Sequence, residues 1–117
     1  MLERIRRRYL LLKLDCEKPF SKKDFLSALR SSIIRLFGEY GASQTEIFLI
    51  EYNSETKYAI IRCSHKSLTM LRASIASITK VAGKPVVIHV LLVSGTLKAL
   101  RKRMQNIFIK EKREKER

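Results

Sequence analysis

What most constrains the fold of this chain is the order in which the spacing of its apolar residues changes. Between Arg7 and Asp15 they alternate: Leu10, Leu12 and Leu14 fall on one side of an extended segment, and Tyr9, Leu11 and Lys13 on the other. Pro19 breaks that segment. After Ser21 the step becomes three or four, through Leu26, Leu29, Ile33, Leu36 or Phe37, and Tyr40, which is one face of a helix. Ser21 is placed to cap it, with Asp24 three residues on as an acidic variant of the capping box. Gly38 and Gly41 are expected to mark its end. Strands are expected over Glu46–Tyr52 and Lys57–Cys63, joined as an antiparallel hairpin by the polar turn Asn53-Ser54-Glu55-Thr56. Ser67 should cap a second helix through Leu68, Leu71, Ile75 and Ile78, closed by Gly83 and Pro85. Val86–Val93 is a nearly continuous apolar run and reads as an interior strand. Ser94-Gly95-Thr96 then starts a third helix, with Leu97, Leu100, Met104, Ile107 and Phe108 on one face.

The order β-α-β-β-α-β plus a terminal helix specifies an α+β class, the ferredoxin-like (RRM-like) sandwich with an extra C-terminal helix. Two helices cover one face of the sheet; the other face is open unless the third helix or a partner covers it. A chain of 117 residues suits one domain. We expect that domain over residues 1–109 and a charged tail, KEKREKER, over 110–117, frayed or helical only when bound. No apolar stretch approaches the roughly 20 residues of a membrane span. The N-terminus, MLERIRRRYLLLKLDC, reads as mature protein without a signal peptide. Cys16 and Cys63 form neither a disulfide framework nor a ligand spacing, which points to a reducing, intracellular compartment.

Lys and Arg number 25 against 11 Asp and Glu, a net charge of +14. A small domain with that imbalance repels itself, so a polyanionic partner is the first explanation: nucleic acid, with an acidic membrane surface second. The basic residues cluster. Arg4, Arg6, Arg7, Arg8 and Lys13 crowd the first strand, and Lys98, Arg101, Lys102 and Arg103 open the third helix. Tyr9 is the best candidate for base stacking and Tyr58 a weaker one; packing under the third helix is the alternative for Tyr9. The third strand, Lys57-Tyr58-Ala59-Ile60-Ile61-Arg62-Cys63, does not match an RNP1 octapeptide. Ser94-Gly95-Thr96 suits either a helix cap or an anion at a helix N-terminus. His65 and His89 are isolated, so no zinc site is expected. No nucleophile–base–acid set and no P-loop is present, so the chain alone carries no catalytic residues.

Four landmarks extend this reading: Arg8-Tyr9-Leu10-Leu11, Gly38-Glu39-Tyr40-Gly41-Ala42, Ile61-Arg62-Cys63, and Val93-Ser94-Gly95-Thr96-Leu97-Lys98. In this order, on this pattern of elements, over about residues 6–108, the chain resembles the small ribonuclease P protein subunit family shared by archaea and eukaryotes, the family of archaeal protein component 2. The family often has Ile-Arg where Leu97-Lys98 stands here, and Lys cannot fork onto a phosphate as Arg does.

The resemblance implies a subunit that assists a catalytic RNA in removing the 5′ leader from precursor tRNA. The protein binds no cofactor; the RNA requires Mg2+. The partners implied are ribonuclease P RNA, precursor tRNA and the TIM-barrel-like component 3 subunit, in a two-plus-two heterotetramer, in the cytoplasm. RNA contact is expected at Arg6, Arg7, Arg8, Tyr9, Lys13, Arg62, Lys98, Arg101 and Lys102. A protein partner is expected at Leu11, Leu36, Phe37 and Tyr40, the last three being equally suited to self-association. The alternative is a ribosomal or other RNA-binding protein of the same fold. An acylphosphatase-like hydrolase is disfavoured because the turn Glu17-Lys18-Pro19-Phe20 lacks the Arg such a site needs.

Overall fold

The structure is a computed structural model and describes residues 6–115; Arg4 lies outside them. The elements in order are β1 (Arg7–Asp15), α1 (Lys22–Gln44), β2 (Phe48–Asn53), β3 (Tyr58–Ser64), a 3-10 turn (His65–Ser67), α2 (Leu68–Ser77), β4 (Lys80–Val81), β5 (Lys84–Pro85), β6 (Val87–Ser94) and α3 (Leu97–Lys115). The main sheet has the order β2-β3-β1-β6 and is antiparallel throughout, as the ferredoxin-like pattern requires.

The alternation in β1 sorts its side chains between two cores. Leu10, Leu12 and Leu14 pack with Phe25, Leu29 and Ile33 of α1 and Leu71 and Ile75 of α2. Leu11 points the other way, into a second cluster with Ile60, Leu100 and Met104. The third helix therefore closes the face that the first two leave open. Thr96 caps it, its hydroxyl accepting from the Ala99 amide at 3.2 Å. Its far end is fastened by Glu111, whose carboxylate accepts from the Tyr58 hydroxyl at 2.6 Å and lies 3.5 Å from the Lys13 ammonium. The expectation of a frayed tail from residue 110 is thus corrected: α3 continues to Lys115, and the boundary at 109 falls inside it. The sequence of the tail has no apolar face, but one carboxylate with two partners on the sheet, Tyr58 and Lys13, extends the docking by a turn.

Ser21 caps α1 as expected, accepting from the Asp24 amide at 3.1 Å. The glycines do not end the helix. Gly38 breaks it with φ 77 and ψ 174, and the helix resumes to Gln44. Gly41 is buried in the resumed turn, where a Cβ would lie 2.8 Å from that of Phe37. The kink at Gly38 lies in a region essentially reserved for glycine, so Gly38→Ala is expected to cost on the order of 1–3 kcal/mol. Nothing lies within 4 Å of an added Cβ there, so the cost is one of backbone and not of crowding. A chemical denaturation midpoint, with the far-ultraviolet spectrum unchanged, measures it.

Three further expectations are corrected. Ser67 does not cap α2 through its side chain; its hydroxyl donates to the Gln44 carbonyl at 3.0 Å, tying the α2 entry to the end of α1. The second helix ends at Ser77, and a short hairpin of β4 and β5 follows, turning on Ala82 and Gly83, both with positive φ. The apolar run of β6 does not make it interior; it is an edge strand beside β1. Its residues are apolar because both faces are covered: Val90 and Val93 join the first core, Leu91 and Leu92 the second.

Candidate nucleic-acid interface

The start of β1, the end of β3 and the junction of β6 with α3 meet at one end of the sheet. Arg7 lies opposite Ser64, and the Arg6 carbonyl accepts from the His65 amide at 2.7 Å. Tyr9 stands opposite Ser94, one residue before Gly95 and the α3 cap. Arg8 is half-buried, donates to the Arg7 carbonyl at 3.1 Å, and presses on Gly95, where a Cβ would sit 3.3 Å from its guanidinium. A side chain at Gly95 would push the end of Arg8 aside by a few tenths of an ångström. Lys98 and Lys102 are exposed on the first turns of α3. Among the described residues, none of Arg6, Arg7, Arg8, Lys98 and Lys102 has a carboxylate partner. Arg101 has one, Glu51 at 3.4 Å, a surface pair that a phosphate can compete for.

Lys13 does not join this group. It lies six residues along β1 from Arg7, roughly 20 Å away at strand rise, and pairs with Glu111. The other end of the sheet holds a groove of about 990 Å³ whose lining includes Asp15, Glu51, Glu55, Glu111 and Glu114. Lys13, Lys57 and Lys115 line the same groove, which leaves it a small acidic excess, so the Arg6–Arg8 end suits a polyanion better.

Tyr9 is partly buried and packs against the cluster under α3. Leu11 has no exposure at all, which corrects its assignment to a partner surface: β1 is central and α3 covers it. Leu36, Phe37 and Tyr40 are exposed, at 45%, 41% and 80%, grouped around the Gly38 kink with Ile34 at 44%. They form an apolar patch on the outer side of α1. Arg62 lies with its guanidinium 4.9 Å over the ring of Phe48, and its Nε is buried without an acceptor. Phe48 was not expected at the site. Pairing the hairpin register reveals it, since Phe48 stands directly across from Arg62.

Of the two cysteines, Cys63 is wholly buried beneath Arg8. Burial pushes its thiol up to about 11, against a smaller downward pull from the Arg8 charge. Tyr58 is also raised, by burial and then by its bond to Glu111. A folded pKa above the unfolded value near 9 contributes stability that is full below pH 9 and is lost as pH rises through 11. The denaturation midpoint is therefore expected to stay level from pH 7 to about 8.5 and then fall, with Cys63 alkylated only as the protein unfolds.

Fold and site together define a strongly basic ferredoxin-like domain whose second sheet face is closed by its own C-terminal helix. The chain belongs to the Rpp14/Pop5 family, whose model matches residues 8–105. It is 38% identical over 95 residues to ribonuclease P protein component 2 of Methanosarcina mazei, covering 81% of this chain and 80% of that one. The corresponding protein of Pyrococcus furiosus is 30% identical over 105 residues, 90% of this chain and 88% of its own. In fold, it matches a chain of yeast ribonuclease MRP with a TM-score of 0.66 over 99% of this chain and 98% of that one, at 14% identity. The family indicated by the four sequence landmarks is the one found. No helix among the described residues is long and apolar enough to cross a membrane.

Proposed function

We propose that this chain is a protein subunit of ribonuclease P that assists the catalytic RNA in removing the 5′ leader from precursor tRNA. The observation that carries this is the convergence of Arg6, Arg7, Arg8, Lys98 and Lys102, from two separate elements, on one sheet end in a member of this family. Such a cluster neutralises phosphates and releases their counterions, giving affinity with little sequence preference. Its role is to brace the RNA and its substrate. In this reading the Mg2+ that the reaction needs is held by the RNA, and the protein's part is electrostatic. The α1 patch of Leu36, Phe37 and Tyr40 is the surface for the component 3 subunit, in a two-plus-two assembly working in the cytoplasm.

The test is precursor-tRNA cleavage by the cognate RNA at low Mg2+, with this chain and component 3 added singly and together. A rise in leader release that needs both proteins is the expected result. No rise, with both proteins folded and shown to pair, overturns the reading and leaves a basic RNA binder of another assembly. Co-sedimentation with ribosomal subunits would then identify the alternative.

A further inference from the structure

Four side chains stand in one line across the sheet, on the face that carries α3. Ser94 of β6 pairs with Tyr9 of β1, Tyr9 with Arg62 of β3, and Arg62 with Phe48 of β2. Residues directly opposite in antiparallel strands share a face, so the row is continuous from edge to edge. The two residues of α3 that are buried, Leu100 and Met104, lie over Leu11 and Ile60, one step further along β1 and β3. The helix therefore stops short of covering the row fully, and Phe48 at its outer end is 54% exposed. This is a large aromatic ring on a sheet edge, with the Arg62 guanidinium over it and about half of the residue open to solvent.

The Arg62 side chain is fixed from below: its Nε is buried, with no acceptor among the described residues. Its guanidinium carbon lies 4.9 Å from the centre of the Phe48 ring, so the pair is already in place when a planar group adds to the ring. The surroundings select the class of that group. Arg7 lies on the same face two residues before Tyr9, and Arg6 and Lys98 border the same sheet end. Glu51, the carboxylate further along β2, is already held by Arg101. A π-face set among unpaired cations fits a nucleotide: a base for the ring and a phosphate for the arginines.

We propose that the Phe48–Arg62 stack seats one unpaired RNA nucleotide, its base on the exposed part of the Phe48 ring and its phosphate toward Arg7. This rests on the RNA-binding reading above and deepens it, by adding a preference for single-stranded over paired RNA at this edge. Base pairing buries both faces of a base in its own helix, so a duplex can supply phosphates to the arginines but no base to the ring.

The experiment compares a ten-nucleotide oligoadenylate with a ten-base-pair RNA duplex by fluorescence anisotropy across a salt series, using the full chain. Phe48→Ala is expected to weaken oligoadenylate binding on the order of tenfold, in line with stacking energies of about 1–3 kcal/mol per base. The salt slope should not change, because no charge is removed, and duplex binding should stay within twofold. Phe48→Tyr keeps a ring and should restore the loss. Phe48 is exposed, so thermal melts of both variants are expected to match the parent. Equal loss on both RNAs, or no loss on either, overturns the proposal. So does intact RNA binding with weakened capture of component 3, which would make the stack a protein contact. The two readings fail separately. Oligoadenylate binding that depends on Phe48, without stimulated cleavage, sinks the ribonuclease P role alone. Stimulated cleavage with Phe48→Ala binding as the parent does sinks only the stack.

Discussion

Leu11→Ala should lower the stability of the domain by about 2–5 kcal/mol, the range for removing a fully buried leucine that cannot be refilled by collapse. Leu11 sits on a central strand, with no exposure, beneath Leu100 and Met104 of α3. Ile60 beside it is on the other central strand, so the backbone on both sides is fixed by ladder bonds and cannot close the hole. The loss should fall first on α3, whose buried hold on the sheet is this small cluster, the remaining ties being partly exposed polar contacts such as Arg101–Glu51, Arg103 to the Val93 carbonyl, and Glu111 with Tyr58 and Lys13. Hydrogen exchange should therefore quicken in α3 before it does in α1 or α2, and a urea titration gives the total. The same variant separates two roles that Leu11 could have had. If it met a protein partner, truncation would weaken capture of component 3 at temperatures where the domain is folded. If the partner surface is on α1, as proposed, capture below the transition should match the parent, whereas Tyr40→Ala, at 80% exposure, should weaken it without a change in melting.

Leu11 shows what a sequence of this kind conveys and what it does not. Alternation in β1 separates Leu11 from Leu10 and Leu12 correctly, because a strand's period fixes which residues share a face. It carries no information about what covers each face, and α3 is contributed from the far end of the chain. The same limit explains β6. Its apolar run reports that both faces are covered; a neighbour on each side is a separate property, set by hydrogen bonding along the sheet. The Ser21 cap was legible because all its atoms lie within one turn. Gly38 was legible as an interruption, but whether a chain resumes its helix after a glycine depends on what the next turn packs against, here Met70 beside Gly41. The β4–β5 hairpin has strands of two residues, too short to show any period. At the site, charge clusters were visible as runs in Arg6–Arg8 and Lys98–Lys102. Phe48 was invisible because its meaning comes only from standing across from Arg62, a relation set by the hairpin register and its bulge after Leu49.

Replacing Arg6, Arg7 and Arg8 together by alanine should reduce affinity for the cognate RNA by about two orders of magnitude or more at 0.1 M salt. Each phosphate contact contributes roughly 0.7–0.9 to the slope of log affinity against log salt, so three lost contacts should flatten that slope by about 2–3. The sheet end is where this can happen. Arg6 and Arg7 are exposed, and no carboxylate among the described residues competes for any of the three. A loss of net charge alone would also weaken binding, since +14 attracts RNA at a distance. The control is Lys110, Lys112 and Arg113, the same number of charges removed from the far end of α3. If the basic residues act only through the overall field, the two triple variants should behave alike. If the sheet end contacts phosphates, the first triple should change the slope by several-fold more than the second, and should lower stimulated precursor-tRNA cleavage in parallel. Arg8 also rests on Gly95 and lies over Cys63, so a fall in melting temperature could accompany the triple variant. Arg6→Ala with Arg7→Ala, leaving Arg8 in place, removes that ambiguity: it should retain the parent's stability and still take about 1.4–1.8 from the slope. Equal slopes for the two ends of the molecule would mean that the +14 charge steers RNA to the protein without the β1 arginines holding it.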